Sequence, residues 1–313
     1  MICWPIREST IESQPTRLAH FQEIRLMLTR QKVLLLMLKF AAKPVDRITL
    51  MKWSFLLRHE CESEGGSTFY DFVPYKYGPF SFALFQEMRK LEEQSYVCLE
   101  GPHSWKLSSE LSMTTTGVSD SVKRDVKAVI KEFSQDSRDE LLDYVYQRYP
   151  DYTVNSELKK LASRPTAEPA VYTAGYEGVS VDSFLNLLVK TGIERLIDVR
   201  CNPISRRYGF HKSTLNRLTH DLGIAYSHFP ELGIDSEKRR RFPQDEDRQD
   251  LFDEYQETTL THQVDTIDLV SQLVREKPSV LVCMEAEPEC CHRSRLAKPV
   301  ADLTGLPIIH LRA

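Results

Sequence analysis

Residues 279–295 read SVLVCMEAEPECCHRSR, and Glu285, Glu287, Cys290, Cys291, His292 and Arg293 crowd into nine residues after an apolar run. Glu285 is the candidate catalytic carboxylate. It leaves a buried strand, where partial desolvation raises a carboxyl pKa unless an arginine offsets it. Such a group activates water or stabilises an oxocarbenium-like centre, as carboxylates do in glycoside cleavage. His292 is a candidate proton carrier, its alternative being a plain hydrogen bond to a backbone carbonyl. Cys290 and Cys291 lie near a helix start, which lowers a thiol pKa, but neither is followed by an arginine six positions later, so a phosphatase-type cysteine loop is absent. Cys283, Cys290 or Cys291, and His292 are conceivable zinc ligands, but without a Cys-x-x-Cys pair and with adjacent ligands no metal is expected. There is no Walker loop and no Gly-x-Gly-x-x-Gly fingerprint, so nucleotide hydrolysis and NAD chemistry are disfavoured and no cofactor is expected.

The elements that carry these residues follow from periodicity. Val280, Leu281 and Val282 are β-branched or apolar and read as a buried strand. From about residue 170, short strands alternate with helices: strands near 171–173, 195–199, 224–229, 280–283 and 307–311, with helices near 181–188, 212–222, 247–258, 263–275 and 290–303. That alternation implies an α/β domain with a mainly parallel sheet. In such a sheet ligands bind outside the carboxyl ends of the strands, and four polar motifs fall there: GYEG after the first strand, Asp198-Val-Arg200 running into Cys201–Arg207, PELG after the third, and the Glu285 loop. Arg200, Arg206 and Arg293 supply bidentate donors for a phosphate or carboxylate; for Arg200 a salt bridge to Asp198 is the equal alternative. Ser205, Cys291 and the helix start near Cys290 add anion-binding groups. Asp198 is expected to add negative charge for catalysis, Tyr176 or Phe210 to stack on a base. Arg239–Arg241 reads as a basic lip, or as a turn balanced by Asp245 and Glu246.

These motifs resemble the Domain of Unknown Function family numbered 488: TAGYEG, then IDVRCNPISRRYGF, then PELG, then CMEAEPECCHR, in order over about residues 170–313. Ile234 departs from the pattern, since a second glycine commonly follows Leu-Gly. The resemblance implies a Rossmann-like fold and a link to nucleic-acid metabolism, with no defined reaction.

The first half reads differently. Apolar residues from Ile24 to Phe40 fit a helix buried on most sides and ended by Pro44; residues 48–59 form a second helix. Tyr77-Gly78-Pro79 precedes a third, residues 81–93, capped by Ser81, and residues 96–99 and 104–107 form a hairpin around Gly101-Pro102. Three helices and a wing is the order of a winged helix, and the stretch PYKYGPFSFALFQEMRKLEEQSYV resembles winged-helix proteins with a Tyr-Gly-Pro signature. The third helix would then enter the major groove, with Lys76, Tyr77, Ser81, Arg89 and Lys90, joined by Arg239 and Arg240, as nucleic-acid-binding residues. Tyr144, Tyr146, Tyr149 and Tyr152 stack on bases or, as is commoner at such spacings, wedge a helix on its domain.

The expected organisation is therefore an arm over 1–20, a mainly α winged helix-turn-helix domain with a helical extension over 21–165, and an α/β Rossmann-like domain over 166–313. A net charge of −4 with 27% charged residues excludes a basic nucleic-acid coat. Seven cysteines in no disulfide pattern and the lack of a signal-like start point to a reducing cytoplasm. No apolar run spans a membrane. The expected function is a nucleic-acid-directed enzyme, DNA its partner, most simply a DNA glycosylase-like hydrolase in repair or phage defence. The alternatives are a ligand-sensing winged-helix regulator without catalysis, and a scaffold whose winged helix binds protein. Oligomeric state is not legible.

Overall fold

The computed structural model describes residues 27–108, 117–235 and 248–312. The expected arm over 1–20 lies outside the described residues.

The N-terminal half begins with α1 (Thr29–Ala41), β1 (Val45–Asp46) and α2 (Arg47–Glu60). Lys32 to Leu38 are buried without a break, so α1 is enclosed on most sides, as its apolar run requires. Asp46 caps α2 by accepting from the amides of Ile48 and Thr49. A hairpin of β2 (Val73–Tyr75) and β3 (Gly78–Phe80), not expected from the sequence, follows. Gly78 adopts φ +81°, and a β-carbon there would lie 2.6 Å from the Tyr146 ring. Tyr-Gly-Pro is thus a tight turn and a close approach at once. Next come α3 (Phe82–Glu93), β4 (Val97–Glu100) and β5 (Ser104–Leu107), with the antiparallel sheet ordered β1-β5-β4. α4 (Asp120–Phe133) and α5 (Arg138–Arg148) pack on the same core as α1 and α2. The tyrosines wedge: Tyr144 and Tyr149 donate to Glu60, Tyr146 pairs with Ser156, and Tyr152 meets Phe55 edge-on at 4.8 Å.

Lys52 is buried in this core, its ammonium donating to the Pro79 carbonyl at 2.8 Å. Burial pulls its pKa down to about 7. An unfolded lysine keeps its proton to about 10.4, so between these values the folded chain binds fewer protons and stability rises with pH. We expect the native protein to gain up to about 1.4 kcal/mol per pH unit over Lys52→Met between about pH 7.5 and 9.5. Urea unfolding followed by tryptophan fluorescence measures it, since Trp53 and Trp105 are buried in this half. Parallel pH profiles for the two proteins would refute it.

The C-terminal half is α/β. In chain order it runs β6 (Val171–Gly175), α6 (Val181–Thr191), β7 (Arg195–Asp198), α7 (Lys212–Asp221), β8 (Ala225–His228), α8 (Arg248–Glu254) with a π-helical continuation Tyr255–Leu260, α9 (Val264–Glu276), β9 (Ser279–Cys283), α10 (His292–Thr304) and β10 (Ile308–Leu311). All five strands are parallel, in the order β10-β6-β9-β7-β8. Strand residues alternate between two cores, as a pleat demands. Val280 and Val282 face α6 and α7, whereas Leu281 joins Val270 of α9 and Leu296 of α10 on the other side. β9 lies between β6 and β7, so the Glu285 loop emerges between the Tyr176 loop and the Arg200 loop. No helix among the described residues is long and apolar enough to cross a membrane.

The halves share buried structure. Val73 of β2 and Phe82 of α3 belong to the core cluster of α6 and the parallel sheet. At the centre of the contact Asp182 of α6, fully buried, accepts from the Ser81 hydroxyl at 2.8 Å and from the Phe82 and Ala83 amides at 2.7 and 3.0 Å. Burial pushes its carboxyl up to about 7, against the pull of these donors.

Candidate functional site

Cys283 ends β9, Glu285 lies two residues beyond, Cys291 precedes α10 and His292 is its first residue. Between them the chain turns through a short 3-10 helix, Pro288–Cys290, and two features hold that turn. The buried Arg293 guanidinium donates to the carbonyls of Glu285 and Ala286. Gly175 at the end of β6 gives the turn room, since a β-carbon there would sit 1.8 Å from the Glu285 carbonyl oxygen. The Tyr176 and Glu177 amides then both donate to the Met284 carbonyl.

Inside this frame four side chains converge. The Cys283 thiol lies 3.0 Å from Glu285 Oε2 and 3.7 Å from His292 Nδ1. The Cys291 thiol lies 2.9 Å from the same Glu285 oxygen. His292 Nε2 is 3.1 Å from the Val199 carbonyl, which fixes the proton on that nitrogen and turns Nδ1 toward the sulfur. The ligating atoms of Cys283, Cys291 and His292 all lie within 4.8 Å of one another. Cys283, Cys291 and His292 are buried, and Glu285 beside them is partly buried. The thiols titrate as a pair. The hydrogen bond from Cys291 and the neighbouring His292 imidazole hold Cys283 well below the ordinary thiol range. Burial and the Cys283 charge push Cys291 well above it. Burial, then Cys283, raises the Glu285 carboxyl.

The Asp198-Val-Arg200 motif is a brace beside this cluster. Asp198 Oδ1 accepts from the Arg200 amide and Nε; Oδ2 accepts from Arg200 Nη2 and the Tyr226 hydroxyl. Arg200 Nη1 reaches the Tyr176 hydroxyl and the Phe210 carbonyl. Asp198 is fully buried and Arg200 nearly so, which places this pair in the salt bridge that was the alternative for Arg200. Burial and the Asp198 charge raise the Tyr226 phenol far above its ordinary value. Tyr176 and Phe210 are buried and stacked on each other at 4.1 Å, so their faces are covered by one another rather than open to a base.

The other expected residues are dispersed. Ser205 is half-exposed and accepts from the Arg207 amide; Arg206 is exposed. Arg207, not singled out by the sequence, donates to the Tyr176 and Val179 carbonyls. Ser81 departs most from expectation. Rather than lying on an open helix surface, it is fully buried, capping α3 and donating to Asp182. Arg89 and Lys90 are exposed, and Lys90 lines a cleft of about 470 Å³ between the halves together with Arg30, Arg58, Glu87, Asp182 and Arg207. Lys76 is paired with Glu157 at 2.9 Å, and Tyr77 lines a separate groove with Arg47 and His103. Arg239 and Arg240 lie outside the described residues.

Cys283 is the residue the sequence undervalued, because the last apolar position of a strand reads as core. Its signal was Cys-x-Glu at a strand end facing Cys-His at the start of the following helix. The expected absence of a metal-ligand set gives way here to a close Cys283–Cys291–His292 group; the helix boundary between the two adjacent residues lets both point inward.

No curated protein and no solved structure matches the chain. Residues 180–300, from the cap of α6 into α10, match the family model described as Domain of unknown function DUF488, and that family is what the C-terminal half is similar to.

Proposed function

We propose that this chain is a nucleic-acid-directed hydrolase that cleaves an N-glycosidic bond, removing a damaged or modified base from DNA. The observation that carries the reading is Glu285, a partly buried carboxylate just beyond the carboxyl end of the central strand β9, with one oxygen fixed by two thiols. In the proposed step Glu285 takes a proton from water as the water oxygen bonds to the anomeric carbon. The carbon–nitrogen bond breaks, its electron pair leaves with the base, and the base nitrogen takes up a proton from solvent, to which Glu285 returns its own. Asp198 has no part in this step, because its oxygens are already filled by four donors.

The N-terminal half is read as a winged-helix domain, supported by the order α1-β1-α2-α3-β4-β5 and the sheet order β1-β5-β4. Its groove contact differs from the simplest version, since the first turn of α3 is held by α6. In the interdomain cleft Arg30 is paired with Glu87 and Arg58 with Glu64 and Asp71, so Lys90 and Arg207 are the cations read as contacting phosphate instead.

The test is end-labelled DNA carrying ordinary, damaged and modified bases, incubated with protein and then treated with alkali. We expect breaks at abasic sites, reduced about 100-fold or more by Glu285→Gln with DNA binding retained. Breaks at an unchanged rate in that variant would remove Glu285 from the mechanism. A second reading, the ligand-sensing DNA-binding regulator, draws on the Asp182 contact, which couples α3 to the sheet domain. Intact DNA across the panel, with site-specific affinity that shifts on adding a small anion, would favour it.

A further inference from the structure

We infer that Cys283, Cys291 and His292 together hold one zinc ion, with Glu285 beside its open fourth position. The inference concerns the same loop as the proposed hydrolysis but does not depend on that reaction.

The donor set is the first argument. Two thiols and an imidazole select zinc over the oxygen-seeking cations, and two cysteines and a histidine with a fourth place open is a known catalytic zinc arrangement. Spacing is the second. Zinc–sulfur and zinc–nitrogen bonds of about 2.3 and 2.0 Å at tetrahedral angles put sulfur and nitrogen about 3.5 Å apart. Cys283 Sγ and His292 Nδ1 stand 3.7 Å apart, and all three donor atoms fall within 4.8 Å of one another. The histidine's other nitrogen is the third argument. A metal-bound imidazole almost always donates its remote N–H to a carbonyl or carboxylate, and Nε2 already lies 3.1 Å from the Val199 carbonyl.

The adjacency of Cys291 and His292 is resolved by the backbone. Cys291 is extended, at φ −137° and ψ 137°, whereas His292 is helical, so the two side chains start from different backbone geometry and meet at one point. Arg293 and Gly175 hold the intervening loop, so the donors are in place before any ion arrives. Binding releases whatever protons the thiols still hold to solvent, and two thiolates then neutralise the dication in a buried site. Glu285, whose Oε2 accepts from both sulfurs, would then stand beside the open fourth position as a proton acceptor.

The full chain, expressed with added zinc and dialysed under reducing conditions, should carry about one zinc by emission spectrometry. Cys283→Ala and Cys291→Ala should each lower this at least about tenfold, whereas Cys290→Ala and Glu285→Gln should retain it. As a check that needs no variant, chelator-stripped wild-type protein titrated with cobalt(II) should develop a thiolate-to-cobalt charge-transfer band and intense tetrahedral visible bands, saturating at about one equivalent. Absence of these bands in protein whose thiols titrate as free and reduced would overturn the assignment. So would zinc retained undiminished in both cysteine variants. Zinc bound without base excision would refute the hydrolase reading alone; base excision by protein that binds neither metal would refute the zinc site alone.

Discussion

Asp198→Ala is expected to destabilise the C-terminal half by about 3–5 kcal/mol, the cost of leaving a buried charge without its partner. The side chains of Arg200 and Asp198 are 5% and 0% exposed, so solvent does not replace what is lost. The substitution strips acceptors from Arg200 Nε and Nη2, the Arg200 amide and the Tyr226 hydroxyl. Asp198→Asn should recover little, because its amide NH₂ would face donors and the guanidinium charge would stay uncompensated. Replacing both partners behaves differently, since a buried pair exchanged for apolar groups is often neutral in stability. Asp198→Ala combined with Arg200→Met should therefore regain at least half of the single-variant loss, measured by urea unfolding followed by far-UV circular dichroism. A double variant as unstable as the sum of the two singles would show that the pair is not the unit. A catalytic Asp198 would predict the opposite pattern, activity lost with stability kept.

This carboxylate also shows where sequence reasoning reaches its limit. That Asp198 lies at the end of a strand and on the same rim as Glu285 was legible, because parallel strands place all their carboxyl ends together. Whether it faces a substrate or a neighbour was not, because that depends on where Arg200 folds, two residues on. Of three nearby arginines the sequence offers no ranking: Arg200 turns onto Asp198, Arg207 onto the Tyr176 and Val179 carbonyls, and Arg206 stays exposed. Tyr176 and Phe210 are separated by a strand, a helix and a long loop, and nothing local says that they stack. Ser81 was readable as a helix cap and is one, accepting from the Leu84 amide. Its second bond, to Asp182, joins residues 101 positions apart and leaves no local trace. Periodicity thus gave the alternating strands and helices of the C-terminal half. Long-range hydrogen bonds assigned the polar residues to bracing or to the site.

Asp182→Ala is expected to uncouple the two halves, with a loss of about 3 kcal/mol or more. Its oxygens accept three hydrogen bonds in a fully closed contact, and each buried donor left unpaired costs about 1–3 kcal/mol. Two of those donors are amides of the first turn of α3. Asp182→Asn keeps one acceptor and turns an NH₂ toward the remaining donors, so it should fall between wild type and alanine. Burial adds a pH dependence of definite sign. The folded chain keeps the Asp182 proton up to about 7, whereas the unfolded chain releases it near 3.9. The folded chain therefore binds more protons across that window, and stability declines as pH rises through it. Asp182→Asn, neutral throughout, should flatten the decline. Calorimetry should show one transition in wild type and two in Asp182→Ala, and limited proteolysis should open the connection between residues 155 and 170. A single, unshifted transition in Asp182→Ala would mean that the apolar contact of Val73 and Phe82 with the sheet domain suffices to join the halves, leaving Asp182 to orient α3 rather than to hold it.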